Sequence, residues 1–278
     1  MPLYEPFALI ALGVFTGAYG VIIGAGGGFV LGPLLILIWG LDPALAVGTS
    51  LTVVFITAIS GGLAYWRAKT IDLRSGVLFA AAALPGSVLG ALAVTKVSGS
   101  FIQISFGVLL FATATYMALR PRGASQPREP VGVPHEHSGH VTRTVVTAHG
   151  DRYEYTFHER WAVGMNVVFG VLSSFFGIGG GLIRVPVLVY GFGFPIAIAS
   201  ATSIFSMALY TGVGVISHAA LGNIDPWVLL FTGIGVIGGA QLGVRIAPKL
   251  RQGVVLQLLA LGLAVTGVWL IANGAHVV

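Results

Sequence analysis

Two glycine runs are the residues of this chain best suited to chemistry. The first covers residues 24–28 (Gly-Ala-Gly-Gly-Gly) and the second covers residues 177–181 (Gly-Ile-Gly-Gly-Gly), and each lies between apolar segments. Consecutive glycines interrupt a helix because glycine loses much backbone entropy on folding. The helix that resumes after the break begins with unbonded N–H groups and a partial positive charge, which together can hold an anion. The runs therefore predict an anion site at two helix breaks, although tight helix packing also uses glycine.

Polar residues that follow the glycine runs extend this candidate site. Two Thr-Ser pairs, Thr49-Ser50 and Thr202-Ser203, carry hydroxyls that can donate to anion oxygens or bond the carbonyl one turn earlier. Arg184 comes three residues after the second run, where it could supply a counter-charge or extend to the membrane interface. The predicted substrate-binding residues are Gly26, Gly27, Gly28, Thr49, Ser50, Gly179, Gly180, Gly181, Arg184, Thr202, Ser203 and Gln241.

Metal and catalytic chemistry have less support. His135, His137 and His140 form a short tract with the nitrogen ligands that metals prefer, but such tracts in solvated segments also bind metals adventitiously. They stay weak candidates, with no dedicated metal site assigned. The chain has no cysteine, which excludes thiolate chemistry, and it has neither a serine-nucleophile motif nor a His-Glu-x-x-His helix. We therefore expect no enzyme, no catalytic residue and no cofactor.

The composition is that of an integral membrane protein. Of 278 residues, 56% are hydrophobic and 8% are charged, against roughly a quarter charged in soluble domains. The net charge of +5 does not indicate nucleic-acid binding, because the basic residues are scattered between apolar runs. We expect the lipid bilayer and a small anionic substrate as partners, and no nucleic acid. The N-terminus has no basic region, so the first apolar run does not resemble a cleaved signal peptide.

Ten apolar segments predict an all-α membrane fold. They cover about residues 7–23, 28–40, 43–66, 74–95, 101–119, 161–176, 181–193, 195–220, 226–247 and 253–273. Several reach the roughly 20 residues that a helix needs to cross a bilayer. Segments 28–40 and 181–193 are shorter and follow the glycine runs. Each is predicted to form a glycine-interrupted helical hairpin with its predecessor, while two tilted crossings stay possible.

Residues 121–160 differ in composition and are predicted to be a soluble linker between membrane regions 1–120 and 161–278. The alternating pattern at 142–148 and 152–157 favours a small β-hairpin. An isolated hairpin is marginally stable, so it would dock elsewhere or stay mobile. The polar, proline-containing composition predicts that residues 126–150 bury little and that their deletion leaves transport intact.

The two membrane regions repeat each other. Shifting the sequence by 153 residues, from 24 to 177, superimposes the glycine runs, Pro33 on Pro186, the Thr-Ser pairs and Asp72 on Asp225. About a quarter of positions from 24 to 96 are identical in this ungapped register. Equivalent loops differ in charge: loop 67–74 is basic and 220–225 has no cation, while 245–251 is more basic than loop 96–100. The positive-inside rule then places 67–74, 120–160 and 245–251 in the cytoplasm and both termini outside.

An odd number of segments in each half agrees with this inverted topology. Inverted repeats with interrupted helices are a recurring design of secondary transporters. The chain also resembles the TauE/SafE family of sulfite exporter-like membrane proteins, through residues 24–29 with Pro33, residues 46–50, and their counterparts 177–181, Pro186 and 199–203. The resemblance implies transport of a sulfur-containing anion such as sulfite, a sulfonate or sulfoacetate.

We therefore expect a multi-pass protein of the cell (inner) membrane that moves a small anion by alternating access, with a coupling proton or cation possible. Two alternatives stay open, a passive anion channel and a metal-ion permease that uses the His-rich linker. The substrate, the direction of transport and the oligomeric state are not determined by the residues.

Overall fold

The computed structural model describes residues 5–119, 139–250 and 252–276, and within them the chain is all-helical apart from one hairpin. The first membrane region contains α1 (Glu5–Ile22), α2 (Gly28–Leu37), α3 (Pro43–Arg67), α4 (Leu73–Val94) and α5 (Gly99–Leu119). The hairpin strands are β1 (His140–Val146) and β2 (Arg152–His158). The second region contains α6 (Glu159–Phe176), α7 (Gly181–Pro186), α8 (Ile196–Ala220), α9 (Pro226–Ile246) and α10 (Gln252–His276).

Seven helices in the described residues are long and apolar enough to cross a membrane, namely α1, α3, α4, α5, α8, α9 and α10. The predicted all-α integral membrane fold is confirmed. Aspartates begin three of these helices, because their carboxylates accept the first unbonded amides. Asp42 accepts from Ala44, Asp72 from Ser75, and Asp225 from Trp227 and Val228.

Both glycine runs break the helix where the sequence predicts. Gly27 and Gly180, which cap α2 and α7, have φ of 80° and 74°, a left-handed backbone that other residues rarely adopt. The resumed helices are short. The apolar segment after the first break is Gly28–Leu37, and the segment after the second is Gly181–Gly191, in which α7 continues into a π-helical turn, Val187–Gly191.

The helices of the two halves pack in equivalent pairs. Helix α1 contacts α9 as its counterpart α6 contacts α4, while α3 contacts both α8 and α9, as α8 contacts both α3 and α4. Glycine allows the closest approaches: a Cβ at Gly86 would lie 2.2 Å from the Val167 carbonyl oxygen, and a Cβ at its counterpart Gly239 would lie 2.2 Å from that of Val14. These four residues are related by the 153-residue shift, so the repeat extends from sequence to packing.

The β-hairpin docks on the membrane helices. Its strands pair antiparallel with His140 opposite His158, and Tyr155 and Phe157 are buried. Both aromatic rings pack on Phe194, at 4.4 and 4.7 Å between centroids. Within residues 139–150, the described part of the segment 126–150, Val145 and Thr147 are buried and seven residues are exposed, so this segment buries little and β2 makes the main buried contact. The effect of its deletion on transport stays a prediction. Of the two outcomes that the sequence left open for the hairpin, docking is the one observed, because Tyr155 and Phe157 face the helices.

Two hydrogen bonds and one ion pair complete this contact. The Tyr155 hydroxyl donates to Oδ2 of Asp72 over 2.8 Å, and Nε of Arg143 lies 3.8 Å from the same oxygen. The Ala148 amide donates to the carbonyl of Ala68. The hairpin therefore connects the α3–α4 loop of the first half to Phe194, which lies just before α8 in the second half.

Candidate functional site

The two glycine breaks cross each other in the interior. A Cβ built at Gly28 would lie 2.4 Å from the Gly177 carbonyl oxygen, and one at Gly181 would lie 2.3 Å from that of Gly24. Neither position has room for a side chain, so close packing is one reason for the glycines. Both residues begin buried helices, and the described structure shows no hydrogen-bond acceptor for the amides of Gly28, Phe29, Gly181 or Leu182. Such unbonded buried amides are the feature that can serve an anion.

The centre of the crossing is apolar. A Cβ at Gly26 would lie 2.8 Å from Cε of Met207 and 2.9 Å from Cγ1 of Val54, and a Cβ at Gly179 would lie 2.4 Å from the same Val54 atom. Val54 and Met207 are themselves equivalent under the 153-residue shift, and both are fully buried. These two side chains fill the point at which the halves meet.

Thr49 and Thr202 join the halves. The Thr49 hydroxyl accepts from the backbone amide of Asp225 over 2.8 Å, and the Thr202 hydroxyl accepts from the amide of Asp72 over 3.0 Å. Each hydroxyl thus anchors the loop before a helix of the other half. The Asp72 carboxylate also accepts a hydrogen bond from the Tyr155 hydroxyl, while its backbone amide donates to Thr202. Asp72 therefore links the docked hairpin to α8, the helix that carries Thr202.

The two serines that follow these threonines differ from each other. The Ser50 hydroxyl lies within donating distance of two backbone carbonyls, Gly28 at 3.2 Å and Gly177 at 3.0 Å, and so bonds the crossed glycine runs. The Ser203 hydroxyl is fully buried and has no partner in the described structure. At this pair of serines the repeat in sequence is therefore not matched in hydrogen bonding.

Arg184 is fully buried. Its Nη1 donates weakly to the Ser203 carbonyl over 3.5 Å, and its Nε and Nη2 have no partner. The guanidinium carbon lies 5.0 Å from the ring centroid of Tyr210 and 5.9 Å from that of Phe169. The ion pairs found in the described residues do not include it. The alternative prediction was that this side chain extends to the membrane interface. It does not, because the side chain is fully buried.

Ser173 and Tyr210 belong to the same neighbourhood and were missed by sequence reasoning. A Cβ at Gly180 would lie 2.6 Å from the Tyr210 hydroxyl and 3.5 Å from Cβ of Ser173. Tyr210 donates to the Gly179 carbonyl, and the Ser173 hydroxyl is buried without a partner. The sequence did contain a signal for these two residues, because they differ between the halves: the equivalent positions in the first half are Gly20 and Thr57.

Gln241 lies elsewhere. Its Nε2 donates to the backbone carbonyl and the hydroxyl of Ser60, over 2.8 and 3.0 Å. Ser60 is ten residues beyond Ser50 on α3, roughly 15 Å along the helix. The structure therefore places Gln241 in the contact between α3 and α9 and does not bring it to the glycine breaks.

The histidine candidates are not gathered into a metal site in the described residues, where no group of three potential ligands occurs. His135 and His137 lie outside the described residues. His140 lies on β1, and its ring packs against that of His158 at 5.1 Å. His218 bonds the Ser174 carbonyl over 2.9 Å, as its counterpart Tyr65 bonds the Val21 carbonyl over 3.1 Å. The equivalence of these two bonds gives His218 a structural role.

Seven apolar helices and two halves that pack in equivalent pairs define a polytopic membrane protein. The family model described as sulfite exporter TauE/SafE matches residues 9–270, and the chain belongs to this family of membrane transporters. YunE of Bacillus subtilis, named a probable membrane transporter protein, is 30% identical over 273 residues, covering 96% of this chain and 97% of that protein.

A second relative comes from an archaeon. MJ0441 of Methanocaldococcus jannaschii, also named a probable membrane transporter protein, is 27% identical over 257 residues, with 87% and 86% of the two chains covered. No solved structure is a significant match.

Proposed function

We propose that this protein is a secondary transporter that moves a small sulfur-containing oxyanion, of the sulfite, sulfonate or sulfoacetate class, by alternating access. The observation that carries the proposal is Arg184, a fully buried cation with two unpaired nitrogens beside a helix break. A cation in a membrane segment costs roughly 2.5–3.5 kcal/mol on insertion scales. A bound anion offsets that cost, and the family's name supplies sulfite as the first anion to test.

Substrate release is also accounted for by this arrangement. Arg184 meets aromatic rings instead of a carboxylate, so no internal anion competes for it. Aromatic contacts of this kind contribute about 0.5–2 kcal/mol, which holds the side chain in place and leaves its N–H groups available. A site with one full charge can bind an anion and still let it leave.

The orientation and the mechanism form part of the proposal. The equivalent packing of the two halves, together with their opposite loop charges, supports inverted repeats that exchange conformations across the membrane. In this arrangement the hairpin and loops 67–74 and 245–251 face the cytoplasm of the inner membrane, and both termini face outward. Val54 and Met207 close the centre of the crossing, which favours a carrier over the passive channel. The metal permease gains no support from the described residues.

Sulfite flux into proteoliposomes tests the proposal. We expect the purified protein to accumulate sulfite when an ion gradient is imposed, and Arg184→Gln to abolish the flux. Arg245→Gln is the control, because Arg245 lies exposed near the end of α9 and outside the site. Equal flux in wild type and Arg184→Gln, at matched insertion, would refute the role of Arg184 as counter-charge. A sulfite flux whose rate is the same with and without an imposed ion gradient would instead indicate a passive channel.

A further inference from the structure

We infer that the transported anion is held by one half of the protein, in a pocket between α6, α7 and α8 formed by Arg184, Ser173 and Ser203, and not at the crossing shared by both halves. The inference rests on the proposed transport of a small oxyanion and specifies where that anion binds. It assigns Ser173, which no motif indicated, and it removes first-half residues from the site.

Unpartnered polar atoms are concentrated in this pocket. In the described residues, nine buried side-chain nitrogen and oxygen atoms have no hydrogen-bond partner, and four of them are Nε and Nη2 of Arg184 and the hydroxyls of Ser173 and Ser203. Buried polar groups are nearly always bonded, so a local concentration of unbonded donors indicates a ligand or ordered water that belongs there.

The four atoms lie on three helices, α6, α7 and α8, that contact one another. Phe169 and Ser173 are one turn apart on α6, and Ser203 and Tyr210 are two turns apart on α8. The Arg184 guanidinium contacts α6 through the ring of Phe169 and α8 through the ring of Tyr210 and the Ser203 carbonyl.

The equivalent residues of the first half, all of which the structure describes, lack this set of donors and provide an internal comparison. Leu31 replaces Arg184 and packs in a buried cluster with Leu9, Leu35, Ala46 and Val53. Gly20 replaces Ser173, and Ser50 replaces Ser203 but is already bonded to two backbone carbonyls. Val54 and Met207, which would both lie within 3 Å of a Cβ at Gly26 where the halves meet, are apolar, so these two side chains offer no donor and no charge to a site on the axis.

The donor set defines the class of ligand. Arginine and serine supply several N–H and O–H donors and one positive charge, which matches an oxyanion head with several acceptor oxygens. A sulfur oxyanion meets this requirement either as free sulfite or as the head of an organic sulfonate. A metal cation does not, because no carboxylate or imidazole ligand is among these residues.

Half-saturating concentrations for uptake in proteoliposomes test the location. We expect Ser173→Ala and Ser203→Ala each to raise the half-saturating sulfite concentration about 5- to 10-fold, the effect of losing one hydrogen bond to an anion. Ser206→Ala is the matched control: this serine is one turn from Ser203 and equally buried, but its hydroxyl donates to the Gly76 and Thr202 carbonyls. Its half-saturating concentration should equal that of wild type.

A second measurement does not depend on transport. Sulfite, sulfate, methanesulfonate and chloride are compared for their shift of the thermal unfolding midpoint in detergent, in wild type and in the two serine variants. Sulfite and methanesulfonate together indicate recognition of the sulfonate head, and sulfite alone indicates the inorganic anion. In either case we expect the shift to shrink in Ser173→Ala and Ser203→Ala.

The possible failures are distinguishable. If wild type transports sulfite with unchanged half-saturation in both serine variants, the one-sided pocket is refuted and the transport function stands. If wild type neither transports nor is stabilised by any of these anions, both proposals fail. A weakening in Ser206→Ala as large as in Ser203→Ala would mean a general packing effect and would also overturn the pocket.

Discussion

Replacing Tyr155 by phenylalanine should loosen the docked hairpin. The change removes only the hydroxyl that donates to Asp72 over 2.8 Å, while the ring that packs 4.4 Å from Phe194 is kept. Tyr155 is 6% exposed, so water has little access to replace the lost donor. The experiment therefore isolates one buried hydrogen bond between the hairpin and the α3–α4 loop.

The expected cost follows from the partners that Asp72 retains. A hydrogen bond to a charged group contributes about 1.5–3 kcal/mol. In the variant, Asp72 still accepts from the amide and hydroxyl of Ser75 and still lies 3.8 Å from Nε of Arg143. These contacts favour the lower end of the range. At about 1.4 kcal/mol for a factor of ten, undocking should become roughly tenfold more frequent.

Amide hydrogen exchange in detergent measures this frequency. An isolated two-stranded hairpin is marginal in water, so each undocking event should expose the amides of both strands. We expect roughly tenfold faster exchange in 140–146 and 152–158, with exchange in α3 and α8 unchanged. Tyr153→Phe is the control, because the described structure shows no hydrogen bond for the Tyr153 hydroxyl.

The pH dependence has a definite sign. Burial, followed by the neighbouring Asp72 carboxylate, raises the pKa of the Tyr155 phenol. The protonated donor is therefore favoured in the docked state, and its contribution is complete below about pH 10, the ordinary tyrosine value. It is lost as pH rises through the raised pKa. The difference between wild type and variant should be constant between about pH 6 and 9. Equal exchange in wild type and Tyr155→Phe over that range would refute this account of docking.

Three further predictions concern the helices. Gly28→Val should prevent folding, because its Cβ would lie 2.4 Å from a backbone carbonyl oxygen, while Gly164→Ala, with open space around it, should leave the thermal unfolding midpoint within about 2 °C. Thr202→Val should lower stability by about 1 kcal/mol, since the Asp72 amide loses its acceptor; an unchanged unfolding midpoint would contradict this. Single cysteines at the exposed positions Arg67 and Leu221 should react with impermeant maleimide from opposite sides of the membrane, and labelling from one side would exclude inverted repeats.

Some of the fold could be read from the residues because it depends on local properties. Apolar length predicts membrane helices in any context, since unpaired backbone groups are not tolerated in hydrocarbon. The breaks at the glycine runs were equally predictable, because Gly27 and Gly180 have a left-handed backbone that other residues rarely adopt. Identical residues in the two halves showed the repeat, and the repeat in turn showed that the two breaks are equivalent.

The candidate site was predicted only in part, because the repeat overstated its symmetry. Sequence identity at Ser50 and Ser203 suggested two equal donors, yet one is bonded to two carbonyls and the other has no partner. Thr49 and Thr202 were predicted to face a substrate, whereas each accepts an amide from the other half. Their partners are more than 100 residues away, which is beyond the reach of a helical pattern.

Residue type and spacing by themselves determined that this chain crosses a membrane, that its halves repeat and that both contain a broken helix. Tertiary structure alone decided which polar groups are left unbonded, that Val54 and Met207 fill the centre, and that the hairpin docks through Tyr155 on Asp72. The reason is physical. Hydropathy and glycine conformation act within a few residues, whereas a hydrogen bond depends on which distant atom lies within about 3 Å.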